Sequence, residues 1–75
     1  MDLDKRLLAL ENERAKLKRQ TDPVDRTKTN IKISDILITF ITDAVQEGDL
    51  EVMEHRLGEY VSTIQDAHQT MVKTG

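Results

Sequence analysis

The chain has 75 residues, no cysteine and a formal net charge of −3 at pH 7. This length allows one small domain at most, and a single chain of this size barely buries enough apolar surface to offset its conformational entropy. Without cysteine, neither a disulfide nor a thiolate metal site can add stability, so we expect oligomerisation to do so. The sequence has no apolar run long enough for a membrane span and no basic-then-apolar leader, and we expect a cytoplasmic protein.

The charges are divided unequally along the chain. Residues 1–32 hold nine Lys and Arg against six Asp and Glu, a balance of +3, whereas residues 33–75 hold two against eight, a balance of −6. Most of the positive excess lies in residues 14–32, where seven bases face two acids. This uneven distribution of charge favours docking of one half of the chain to a partner of opposite charge.

Residues 1–20 are predicted to form an amphipathic, coiled-coil-like helix, because they are rich in Leu, Ala, Glu, Lys and Arg, which are good helix formers. Placed on a heptad repeat, this segment has a seam formed by Leu3, Leu7, Leu10, Arg14 and Leu17. In a parallel pair, Arg6 of one copy would face Glu11 of the other, which is attractive. The same holds for Glu13 and Lys18, so the pattern favours a parallel zipper of two copies.

Two other arrangements of this first helix stay open. The zipper leaves Leu8 exposed, and Leu8 together with Ala15 could form a second stripe on which the helix lies back against its own hairpin. Alternatively, the segment is mobile until it meets a target.

Residues 21–32 are predicted to be a polar, basic linker. The stretch TDPVDRTKTN holds the only proline, three threonines and a single aliphatic residue. Asp22 could cap one helical turn with Pro23 in its first position, but nothing apolar continues that turn.

Residues 33–75 are predicted to form a helical hairpin, with helices at about 34–47 and 49–73. From Ile33 to Val45 the apolar residues cover an arc of about 200° on a helical projection, which is too wide for one neighbouring helix. Ser34 is a suitable N-cap, although the β-branched content of this stretch keeps a strand open as an alternative. Gly48 can end the first helix in the left-handed conformation, and Asp49 can cap the second.

The second helix of the hairpin carries a regular heptad of apolar residues at spacings of three and four, from Leu50 to Met71. Its expected length of roughly 35 Å is nearly twice that of its partner, so it should overhang the first helix. We therefore predict an all-α protein in which the hairpin dimerises into a four-helix-bundle-like core. The expected interface is Ile33, Leu37, Phe40, Ile41, Leu50, Met53, Leu57, Tyr60, Ile64 and Met71.

No catalytic constellation or cofactor motif is present in the sequence, and we expect neither an enzyme nor a cofactor. His55, with Glu51 and Glu59 one turn away on either side, could form a weak metal-binding face, but a solvated helix surface is the simpler interpretation, and we predict no metal site.

His68 lies at the edge of the apolar stripe, where its protonation could make assembly pH-sensitive.

The favoured function is that of a non-enzymatic helical module for oligomerisation and protein–protein interaction, serving as a small regulatory or assembly factor. Its partners would be a second copy of itself and a further protein. The alternative is a dimeric nucleic-acid-binding protein, which would contact phosphates through Arg14, Lys16, Lys18, Arg19, Arg26, Lys28 and Lys32. Docking of the hairpin as a helix-turn-helix is disfavoured, because Glu51 and Glu54 would meet the phosphate backbone.

Overall fold

The computed structural model describes the backbone of residues 3–74 and the side chains of residues 5–70. The described chain consists of three helices: α1 (Leu3–Arg19), α2 (Pro23–Glu47) and α3 (Leu50–Thr74). The all-α prediction is confirmed, and α2 replaces the strand that was open as an alternative for residues 33–45. None of the described helices is long and apolar enough to cross a bilayer.

The predicted linker is wrong, because α2 already begins at Pro23 and leaves only residues 20–22 between α1 and α2. Asp22 is the N-cap, with φ −70° and ψ 124°, and its Oδ1 accepts hydrogen bonds from the N–H groups of Val24 at 2.8 Å and Asp25 at 3.2 Å. Pro23 fits the first helical turn because its N–H would have no partner there. The predicted N-cap at Ser34 is also wrong, since Ser34 is buried inside α2 and its Oγ donates to the Ile31 carbonyl at 2.7 Å.

The polar residues of the supposed linker continue the helix because their buried side chains have partners. Thr29 and Asn30 are both buried, and each makes a hydrogen bond outside α2. Thr29 Oγ1 donates to Gln20 Oε1 at 2.6 Å, and Asn30 Nδ2 donates to Asp66 Oδ2 at 2.7 Å. A buried polar group with a partner avoids the desolvation penalty that would otherwise break the helix here.

The hairpin turn has the predicted chemistry. Gly48 takes the left-handed conformation with φ 74°, and its N–H bonds to the Val45 carbonyl at 3.2 Å. Asp49 follows, and its Oδ1 accepts from the N–H of Val52 at 3.2 Å. Because α2 begins early, α2 and α3 have 25 residues each, so the predicted overhang of the second helix is wrong.

The core lies where α1 crosses α2, and it contains Leu10, Ile33, Leu37 and Phe40. Leu7, Leu17, Ile36 and Tyr60 pack around this cluster. The first helix therefore lies back on its own hairpin, and it does so with the seam assigned to the zipper rather than with Leu8, which is 58% exposed. Pairing of that seam with a second copy would require α1 to leave the hairpin.

Candidate functional site

An apolar stripe runs along the exposed side of α2. Val24, Ile31, Ile38 and Val45 are 44% to 62% exposed and recur every seven residues. Seven residues make nearly two helical turns, so the four side chains lie almost in one line, drifting by only about 20° per step. The sequence-based interface omitted all four. Val24 and Ile31 fell in the supposed linker, whereas Ile38 and Val45 lay within the predicted apolar arc but outside the predicted interface. A search for seven-residue spacing that ignored the linker boundary would have found them.

The apolar heptad residues of α3 form two columns, which lie on different surfaces of the helix. Ala67 is buried and Met53 and Tyr60 are half-buried, and these three form the column that faces α2. The other column, Leu50, Leu57 and Ile64, is 42% to 66% exposed, and Val61 lies beside it with similar exposure. One column thus completes the hairpin, while the other is left largely exposed.

Both exposed columns lie on the side of the hairpin that faces away from α1. On α2, Asp43 pairs with Arg6 of α1 and lies about 140° around the helix from Ile38. On α3, Glu59 pairs with Arg14 of α1 and lies about 140° around the helix from Ile64. Since α1 covers one side, the two columns share the other, and we call this surface the open face. It comprises Val24, Ile31, Ile38, Val45, Leu50, Leu57, Val61 and Ile64.

The residues predicted to form the oligomer interface have three different positions. Ile33, Leu37 and Phe40 are buried in the core of the single chain, so this fold does not offer them to a second copy. Ile41, Met53 and Tyr60 are half-buried, and Leu50, Leu57 and Ile64 belong to the open face. The Met71 side chain lies outside the described ones, as does that of Leu3 in the seam of the first helix.

Three of the seven bases predicted to contact phosphates pair with groups of their own chain. Arg14 pairs with Glu59, while Arg26 donates to the carbonyls of Leu17 at 2.9 Å and Gln20 at 3.1 Å and lies 3.4 Å from Asp66. Lys16 lies 4.0 Å from Glu13 on the next turn of α1. The remaining four are exposed: Lys18, Arg19, Lys28 and Lys32.

Glu59 is the centre of the charge cluster that joins α1 to α3. Its Oε2 pairs with Arg14, and its Oε1 lies 3.0 Å from Arg56 Nη1 and 3.2 Å from His55 Nε2. Burial by itself would raise the pKa of Glu59, but the hydrogen bond from Arg14 and the charges of Arg14, Arg56 and His55 outweigh burial and lower that pKa. The carboxylate is therefore held by arginine, and no metal-binding group of His, Asp and Glu side chains occurs among the described residues.

The single phenylalanine lies between two guanidinium groups. Arg6 of α1 stacks on the Phe40 ring at 4.8 Å from its centroid, and Arg56 of α3 does so at 4.7 Å. Each arginine also pairs with a carboxylate, Asp43 for Arg6 and Glu59 for Arg56. Phe40 thus connects all three helices near the Gly48 turn.

Comparison of the chain with models of known protein families, with curated proteins and with solved structures finds no match.

Proposed function

We propose that this protein is a non-enzymatic helical module that self-associates through the open face and presents the assembled surface to a protein partner as a regulatory or assembly factor. The observation that carries the proposal is the divided heptad of α3, in which Met53, Tyr60 and Ala67 face α2 while Leu50, Leu57 and Ile64 are exposed. A heptad pattern on both edges of a helix is typical of a helix with two helical neighbours. The exposed apolar stripe of α2 runs beside the exposed column of α3.

The apolar surface on the open face is large enough to support association. Its eight side chains together expose the equivalent of about four whole aliphatic side chains, whose burial is worth roughly 6 to 12 kcal/mol per chain. A dimer that buries both open faces gains about twice this amount, against an association cost of roughly 4 to 15 kcal/mol. The gain therefore exceeds the cost over most of this range.

A second copy of the chain is the occupant that fits this surface. Every seventh residue from Val24 to Val45 on α2, and from Leu50 to Ile64 on α3, is apolar, so the contact of identical surfaces brings no like charges together along these two lines. Two antiparallel hairpins that pack face to face form a four-helix-bundle-like core, the common solution for helices with two apolar edges. In that assembly both copies of α1 would lie on the outside.

The solution mass of the full chain tests the proposal. One chain has a mass of 8.6 kDa, and we expect the protein to sediment at twice that mass or more at micromolar concentration. Ile31→Asp should give the single-chain mass with unchanged helicity, because the side chain is 52% exposed in the single chain but would bury an unpaired charge in the assembly. Leu8→Asp is the matched control, since Leu8 is similarly exposed but lies outside the open face.

Two results would contradict self-association through the open face. One is a wild-type chain that stays at the single-chain mass at all accessible concentrations. The other is an Ile31→Asp variant that keeps the oligomer mass, which would place the contact elsewhere on the molecule.

The nucleic-acid alternative has less support. Arg14 and Arg26 bind carboxylates or carbonyls of their own chain, so phosphate would have to displace those contacts. Binding of duplex or single-stranded DNA or RNA that weakens steeply with salt, and that is lost when Lys28 and Lys32 are replaced by Gln, would favour this alternative instead.

A further inference from the structure

The contact of α1 with the hairpin centres on one buried leucine with an ion pair on either side. Leu10 is 2% exposed and is the one fully buried side chain among those described in α1. Arg6, one turn before it, pairs with Asp43 at 2.6 Å, and Arg14, one turn after it, pairs with Glu59. α1 thus binds the hairpin with a central leucine flanked by two arginines that meet two acids.

Two buried polar atoms of α1, Arg6 Nε and Glu13 Oε2, make no hydrogen bond to the described residues, although Lys16 Nζ lies 4.0 Å from Glu13 Oε2. A buried polar atom without a hydrogen bond weakens the binding of α1 to the hairpin. Another helix that lacks such atoms would bind the same surface without this loss. The docking of α1 is therefore weaker than its apolar seam alone would suggest.

The surface beneath α1 belongs to a hairpin whose two helices, α2 and α3, also make contacts with each other. Asn30 and Asp66 join α2 to α3 at 2.7 Å, and Gly48 closes the turn at the other end. These contacts do not involve α1. We therefore expect α2 and α3 to stay paired when α1 moves away, which would make the apolar side chains of Ile33 and Phe40 accessible.

We propose that this surface is a second docking site, taken by an amphipathic helix of a partner protein, and that α1 is a cover which that helix displaces. The pattern of α1 defines the partner: apolar side chains at the spacings of Leu7, Leu10 and Leu17, with arginine one turn to either side of the central one. Asp43 and Glu59 select the basic residues, so an acidic helix does not fit. This site is on the opposite side of the hairpin from the open face and does not depend on self-association.

A labelled peptide with the sequence of residues 3–19 is the probe, and its binding to the full chain is followed by fluorescence anisotropy. The wild-type chain binds it weakly because its own α1 competes at high effective concentration. Leu10→Ala in the full chain weakens the cover, so the peptide should bind at least about tenfold more tightly. Leu8→Ala changes a leucine on the exposed side of the same helix and should leave binding at the wild-type level.

Further variants test the proposal even if Leu10→Ala disturbs the fold. If Leu10→Ala loses helicity, Arg14→Gln opens the cover without creating a cavity, with an expected gain in peptide affinity of about threefold. A peptide carrying Leu10→Asp should not bind any of the chains. Repeating the measurement in a chain that carries both Leu10→Ala and Ile31→Asp separates this site from the open face, because the tight peptide binding of Leu10→Ala should persist there. The proposal is overturned if the peptide binds no opened variant that keeps its helicity, or if the Leu10→Asp peptide binds equally well.

Discussion

Leu37 and Ile38 are neighbours in α2 whose side chains differ in burial, and their replacement tests which side of α2 forms the core. Leu37 is 0% exposed and belongs to the central cluster, whereas Ile38 is 44% exposed on the open face. Consecutive helix residues are about 100° apart, so a rotation of α2 by that angle would bring Ile38 to the place that Leu37 occupies in the core. We expect Leu37→Ala to be far more damaging than Ile38→Ala.

The size of each effect follows from burial. Leu37→Ala removes three fully buried carbon atoms at about 0.8 kcal/mol each and leaves a cavity, for a total loss of about 3 to 5 kcal/mol. A domain of 75 residues has a free energy of unfolding of about 4 to 11 kcal/mol, so this loss is a large part of the total. Ile38→Ala removes a group that is about half buried and leaves no closed cavity, which costs about 1 kcal/mol in the single chain.

Urea unfolding followed by far-UV circular dichroism measures both variants. With a urea dependence of about 1 to 3 kcal/mol per molar, the midpoint of Leu37→Ala should fall by at least about 1 M. Repeating the titration at two protein concentrations identifies any part of the Ile38→Ala effect that belongs to self-association, because only that part depends on concentration. Equal losses for the two variants at the lower concentration, or a greater loss for Ile38→Ala, would refute the assignment of the core and of the open face.

Two further predictions concern the start of α2 and the charge cluster at Glu59. Asp22→Ala should lower stability by about 1 kcal/mol in thermal unfolding, because the N–H groups of Val24 and Asp25 lose their acceptor, and Asp22→Asn should restore most of it; no difference between the two variants would count against the cap. Glu59 has a pKa lowered from 4.5, so its contribution to stability is complete above that pH and is lost as the pH falls through the folded-state pKa. The stability difference between wild type and Glu59→Gln should therefore be present above pH 4.5 and shrink below it, and a difference that persists in strong acid would argue against the ion pairs.

The start of α2 illustrates what local sequence does not contain. Asp22 and Pro23 indicate a possible helix start, but the polar stretch after them predicts a linker. Thr29 and Asn30 are nevertheless buried, because Gln20 and Asp66 supply their hydrogen-bond partners. Asp66 belongs to another helix, so this compensation depends on a contact that helix propensity and hydrophobic periodicity do not describe.

The sequence by itself determined the Gly48 and Asp49 turn and the heptad of α3, because these depend on backbone conformation and on spacing along one helix. It favoured the helical class but left a strand open for residues 33–45. It also showed that α2 has more apolar surface than one neighbour can cover. Only the tertiary structure decided how that surface is divided: Leu37 and Phe40 face the core, while Ile31 and Ile38 are exposed. Periodicity shows which residues share a side of a helix. Which element covers that side depends on contacts between segments that are far apart in the sequence. Here these contacts include the pairing of Arg6 with Asp43, which holds α1 on one side of the hairpin and leaves the open face uncovered.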